Sequence, residues 1–130
     1  MDYPKNLKIG PMTYKVKFKD TVLIGKPLEE KSGIISFKDA VIELSTDQNE
    51  QNLRTTFFHE FVHGINQAID ANRLFFESLE DEECFTSLFA KMLTAVLNDN
   101  VKRIEWKGSA YKNEEVNKRI TETRKNKSVS

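Results

Sequence analysis

Residues 59–63 read His59-Glu60-Phe61-Val62-His63, and these are the only two histidines in the 130-residue chain. On a helix, residues four apart project from one face about one turn apart, so both imidazoles can reach a single Zn²⁺. Glu60 is rotated about 100° from His59, which sets its carboxylate beside such a metal rather than on it. From there it can take a proton from a metal-activated water and pass it to a leaving amine. The bland alternative is a pair of solvent-facing histidines on an amphipathic helix. Against it, both histidines lie nearly opposite Phe61 in the apolar stripe Phe57, Phe61, Ile65 and Ala68, so they are not ordinary core residues.

A catalytic zinc site needs a third protein ligand and an open fourth position. With no histidine left, a carboxylate is the natural candidate, and Glu77, Glu80, Asp81, Glu82 and Glu83 crowd the start of a second helical segment. If Phe89 centres the buried face of that segment, Glu82 lies about 20° away, Glu80 points to the opposite side and Glu83 sits about 120° off. A buried carboxylate is costly unless paired or bound to a metal. Glu82 is therefore the expected third ligand, with Cys84 the outside alternative. Thr86, one turn on, either supports the site from behind or caps a polar edge. The remaining acidic residues favour the positive end of the helix dipole and face water.

The elements that must position these groups are legible as a change of period. Tyr14, Val16 and Phe18 alternate with Lys15, Lys17 and Lys19, the signature of a strand with one wet face. Ile34, Ile35 and Phe37, then Val41, Ile42 and Leu44, flank a polar tip at Lys38-Asp39-Ala40 and read as a hairpin. A small antiparallel sheet of about three strands is expected. Ser45 and Gln48 fit a capping box for a helix running to about Ala71, broken only by Gly64, which either close approach of the second helix near the metal or a plain packing contact would explain. A second helix should span Ser78 to Asn98 and bury Phe85, Leu88, Phe89, Met92, Leu93, Val96 and Leu97. The expected class is α+β, with residues 1–100 as the domain.

Residues 101–130 differ in kind. They carry 9 Lys/Arg and 4 Asp/Glu, against 11 and 16 in residues 1–100, so a +5 tail follows a −5 body. Only Val116 and Ile120 would give a helix there an apolar side, and the segment reads as a basic, partly helical or disordered tail. Trp106 and Tyr111 are expected to reach the acidic start of the second helix. Overall neutrality argues against nucleic acid as the main partner, although Trp106 and Tyr111 among Lys102, Arg103, Lys107 and Lys112 form a weak stacking pattern. No apolar run reaches the roughly 18 residues of a membrane span. The first ten residues include Asp2, Lys5 and Lys8 rather than an apolar leader, and Cys84 is the single cysteine. The expected location is the cytoplasm.

The H-E-x-x-H motif, followed by eighteen residues and then Glu82, resembles the zincin metallopeptidases, in particular the gluzincin branch. With its short sheet and two helices, the stretch 12–100 is similar to minimal gluzincins and to the ImmA/IrrE-type metallopeptidases of phages and mobile elements. The metzincin extension is absent, Asn66 and Ile69 standing at its Gly and third His. The resemblance implies one zinc held by His59, His63 and Glu82, Glu60 as general base, and a peptide or protein substrate. It also implies that an edge strand aligns the substrate, for which Val41–Leu44 is the candidate. Tyr3, Tyr14, Tyr111 and Arg54 remain open as oxyanion donors. The competing function is an inactive, zinc-stabilised binding or regulatory protein; structural zinc sites are rich in Cys, which favours the enzyme.

Overall fold

The structure, a computed structural model, describes residues 1–70 and 74–129. The alternation around Val16 becomes β3 (Met12–Lys19), with Tyr14 and Val16 buried, Phe18 half-buried and the intervening lysines in water. β1 (Tyr3–Pro4) and β2 (Asn6–Ile9) precede it, and β4 (Val22–Ile24), β5 (Glu29–Lys31), β6 (Gly33–Ser36) and β7 (Val41–Ser45) follow. The main sheet has four strands in the order β2-β3-β7-β6. The β6–β7 hairpin forms as the pattern implies, Ser36 opposite Val41. The antiparallel three-stranded expectation is corrected, however, because β3 and β7 run parallel, from Lys15 opposite Val41 to Lys19 opposite Ser45. Parallel neighbours need a long connection, and residues 20–40 supply it while forming the separate β4–β5 ladder and β6. Alternation reports which face is buried, not which way a strand runs.

α1 (Glu50–Ala68) follows β7 and packs on this sheet, Leu53 and Phe57 joining Tyr14, Val16, Ile42 and Leu44 in the core. Its N-cap is Asn49, whose Oδ1 accepts from Asn52 N at 2.8 Å. The expected Ser45 cap instead ends β7, and Gln48 turns back to donate to Ser45 O at 2.8 Å. α1 ends at Ala68, and residue 71, where the sequence reading ends it, lies outside the described residues. Gly64 is required by the sheet: a Cβ there would sit 2.6 Å from Ile9 Cδ1 and 3.3 Å from Ile35 Cδ1.

α2 (Leu79–Asn100) is capped by Ser78, whose Oγ accepts from Asp81 N. It runs antiparallel to α1: Arg54 donates to Asn98 at one end, and His63 meets Glu82 at the other. Its buried face is Glu82, Thr86, Ala90 and Thr94, with Leu93 and Leu97 packed beside it. The apolar stripe assigned to the core is corrected, since Phe85, Leu88, Phe89, Met92 and Val96 are all exposed. Among the described residues no helix is long and apolar enough to cross a membrane.

Residues 101–130 complete the body. β8 (Ala110–Tyr111) pairs with β1, and α3 (Asn113–Val129) delivers Val116 and Ile120 into the same core as Leu53 and Phe57. Trp106 Nε1 donates to Asp2 O and Tyr111 Oη donates to Val16 O, each at 2.9 Å. Both aromatics therefore serve the sheet side, not the acidic start of α2. Two or three apolar side chains placed at a core edge bind a segment whose composition alone looks unfolded. The architecture is α+β, with three helices and small sheets among the described residues.

Candidate metal centre

His59 and His63 share the face of α1 that looks towards α2, and their Nε2 atoms lie 3.0 Å apart. Glu83 bridges them: Oε1 is 2.8 Å from His59 Nε2 and Oε2 is 2.9 Å from His63 Nε2. One donor atom from each of His59, His63 and Glu83 falls within 4.8 Å of the others, a group that could hold a metal ion. Glu82 does not join it. Its Oε1 lies 2.8 Å from His63 Nδ1, the far side of the ring, and accepts from Asn66 Nδ2 at 2.7 Å and Thr86 Oγ1 at 3.1 Å.

Glu82 is the carboxylate that turns His63, and Glu83 is the one that closes the group. In the neutral tautomer that donates Nδ1–H to Glu82, the lone pair of His63 Nε2 would be free for a cation held between the histidines and Glu83. The register places Glu82 on the buried face, as observed; its centre, Phe89, is exposed, and the true buried face of Glu82, Thr86, Ala90 and Thr94 is shifted so that Glu83 also borders the cleft. No apolar signal in the sequence announced that shift. Asn66, read earlier only as a missing metzincin glycine, is buried and is the strongest of the supports that sequence reasoning missed. Cys84 is exposed and outside the group.

The local fields differ sharply. Glu60 is 6% exposed. Burial pushes its carboxyl up to about 7; the charge of His63 opposes this, Glu83 and Glu82 reinforce it, and a hydrogen bond from the Ile35 backbone opposes it. Burial raises the Glu82 carboxyl too, but hydrogen bonds from Asn66, His63 and Thr86 outweigh it and hold the group below the usual carboxylate range. Burial lowers His59, partly offset by Glu83. Neutral imidazole is the form that ligates metals.

The group opens into a cleft of about 1200 Å³ whose lining includes Asn52, Thr55, Thr56, His59, Glu60 and His63 from α1 and Ile34, Ile35 and Phe37 from the sheet side. The strand beside it is β6, which among the described residues pairs only with β7, whereas β7 is flanked by β3 and β6. The expectation that Val41–Leu44 forms the free edge is corrected. Ser45 N donates to Ser32 O, so alternation leaves the N–H and C=O of Gly33 and Ile35 on the outer side. None of the four candidate oxyanion donors lines the cleft. Tyr3 and Tyr14 are in the core, Tyr111 is bonded to β3, and Arg54 is held by Glu50 and Asn98. The chemistry of this chain is legible only from its own atoms: no protein-family model matches it, and no curated protein or solved structure does.

Proposed function

We propose that the chain is a zinc-dependent peptidase of the zincin kind, its ligands His59, His63 and Glu83. One observation carries the reading: two Nε2 atoms and a carboxylate converge while a second, buried carboxylate fixes the far nitrogen of His63. Tetrahedral Zn²⁺ at about 2.0–2.1 Å from its ligands needs them about 3.3 Å apart. The observed edges of 2.8, 2.9 and 3.0 Å require only a few tenths of an ångström of opening. Two histidines with one carboxylate are a catalytic donor set, leaving a position for water. Bound zinc would lower the pKa of that water and polarise the scissile carbonyl.

The chain's own residues supply the rest. Glu60, beside but outside the ligand group, accepts a proton as the nucleophile forms and returns it to the leaving nitrogen. Its pocket holds the proton in the interim, and the Ile35 N–H orients the carboxylate. The free edge of β6 offers the Gly33 N–H and C=O and the Ile35 C=O to an extended peptide, a strand-addition mode that holds main chain independently of sequence.

The second reading, a metal-stabilised binding protein without hydrolysis, draws on the missing oxyanion donor: no tyrosine or arginine close to the histidines lines the cleft among the described residues. Glu60→Gln separates the two. The variant should bind zinc as the natural chain does while peptide hydrolysis falls about 10²–10⁴-fold. A natural chain that holds zinc yet cleaves nothing in a diverse peptide library favours the binding protein, and a chain that takes up no zinc overturns both.

A further inference from the structure

The cleft is electrostatically lopsided. Its carboxylates near the histidines are Glu60, Glu82 and Glu83, whereas its cations, Lys31, Lys91 and Arg124, come from three separate elements, and the connectivity places them towards the start of α1. Because α1 and α2 are antiparallel, moving from His63 towards the start of α1 means moving from Glu83 towards the end of α2. Lys91 lies eight residues beyond Glu83, about 12 Å along the helix. Arg124 follows Thr123, whose hydroxyl is 2.6 Å from Thr46 Oγ1 just ahead of α1. Lys31 precedes Ser32, whose carbonyl accepts from Gln48 at 3.1 Å.

These cations are not spent on the cleft's own acids. The carboxylate lining that end, Asp47, is taken by Lys127. Lys31 keeps a loose pair with exposed Glu29 at 3.5 Å. Lys91 and Arg124 form no ion pair among the described residues, although each lines the cleft from a different helix. With Asp47 neutralised by Lys127, the concave end carries an excess of positive charge, which concentrates ligands of the opposite sign.

The direction of β6 says which end of a peptide arrives there. Gly33 backs onto Thr56, and Ile35 meets Gly64 two turns further along α1, so β6 and α1 run the same way. A peptide added antiparallel to β6 therefore runs from the histidines towards the start of α1, its C-terminal part last. At about 3.3 Å per residue, 12 Å is three to four residues. We propose that Lys91 and Arg124, with Lys31, form a carboxylate subsite for the C-terminal side of the substrate, three to four residues past the scissile bond. The carboxylate is that of an acidic side chain or of the peptide's own C-terminus. This deepens the peptidase reading and rests on it.

The test uses the full zinc-loaded chain carrying Glu60→Gln, so that binding is read without turnover, alongside the natural chain. Fluorophore-labelled octapeptides of alanine and glycine are compared as the free acid, the C-terminal amide, the amide with one Glu, and the amide with one Lys in its place. The free acid or the Glu amide should bind at least about tenfold more tightly than the plain amide, an advantage shrinking between 50 and 300 mM salt, with screening lengths of roughly 14 and 6 Å. Whichever of the two binds identifies the source of the carboxylate. Lys91→Glu and Arg124→Glu should each erase the advantage and favour the Lys peptide, whereas Lys107→Glu, remote from the cleft, should not. In the natural chain the loss should appear in KM rather than kcat, and product masses should place cleavage three or four residues before the carboxylate. Equal binding of acid and amide overturns the subsite, as does an advantage indifferent to Lys91 and Arg124. Acid-selective binding without hydrolysis keeps the subsite and overturns the peptidase.

Discussion

α2 and α3 invert each other. α2 carries a long apolar stripe and leaves most of it wet, with Leu88 and Met92 70% and 66% exposed, while it buries Glu82, Thr86 and Thr94. α3 has little apolar content and yet sinks Val116 and Ile120 into the core and Thr123 against Thr46. The difference is what each helix has to meet. α2 faces His63 and Asn66, so its inner face needs acceptors and hydroxyls, and small Ala90 and Thr94 let α1 come close. α3 meets a sheet edge already made apolar by Tyr3, Phe18 and Tyr111. Hydropathy ranks what is costly to leave in water; the partner surface decides what is buried.

The largest test of that contrast is removal of residues 101–130. It takes away β8, the Trp106 and Tyr111 hydrogen bonds, and two core side chains. The truncated chain should lose cooperative unfolding, read by circular dichroism against guanidinium chloride, and Ile120→Ala alone should cost about 2 kcal/mol or more. A truncated chain with the same midpoint would return the tail to the status of an appendage.

Three carboxylates in the first turns of α2 can be ranked by zinc affinity. Glu83→Gln should be the most damaging because it removes a ligand. Glu82→Gln should cost about 10–100-fold, the usual effect of losing the partner that orients a ligating histidine. Glu80→Gln, exposed and outside both groups, should change nothing. Calorimetric zinc titration of the three decides the matter, and the order Glu82 before Glu83 would restore the register read from the sequence.

Glu60 gives a pH signature in protein kept metal-free with chelator. Its folded carboxyl is raised from 4.5 to about 7, so the folded state keeps its proton where the unfolded chain has lost it. Stability is undiminished by Glu60 below about pH 4.5 and is lost as pH rises through 7, by at most roughly 3 kcal/mol. Glu60→Gln should remove that loss, so the variant gains on the natural chain between pH 5 and 8 in denaturant midpoints. Parallel curves would place Glu60 in a wetter pocket.

How much of this was legible in the sequence follows from the same physics. His59, Glu60 and His63 were, because a four-residue spacing on a helix fixes a shared face whatever surrounds it. The β6–β7 hairpin was too, since its tip and flanking runs are local. The parallel β3–β7 pairing, the edge position of β6 and the approach of Glu83 to both histidines were not. Each depends on which distant segment arrives alongside, and Lys19 meeting Ser45 or Asn66 meeting Glu82 leaves no local trace.

The smallest expected effect is also the sharpest test of the comparison, because intuition from composition predicts the opposite. Leu88 and Met92 sit mid-helix in an apolar stripe, where burial would make Leu→Gln cost several kcal/mol. Here both side chains are mostly in water, and Gln is about as good a helix former as either. Leu88→Gln and Met92→Gln should therefore shift unfolding free energy by no more than about 0.5 kcal/mol each, and zinc affinity not at all. Ala90→Gln, two residues from each but facing α1 at 0% exposure, should cost far more, since its longer polar side chain has no room and no partner there. Measured in one denaturant series at low protein concentration, the three variants either separate in that order or they do not. A cost of 2 kcal/mol at Leu88 would mean that the stripe, not the polar face, is what α2 buries.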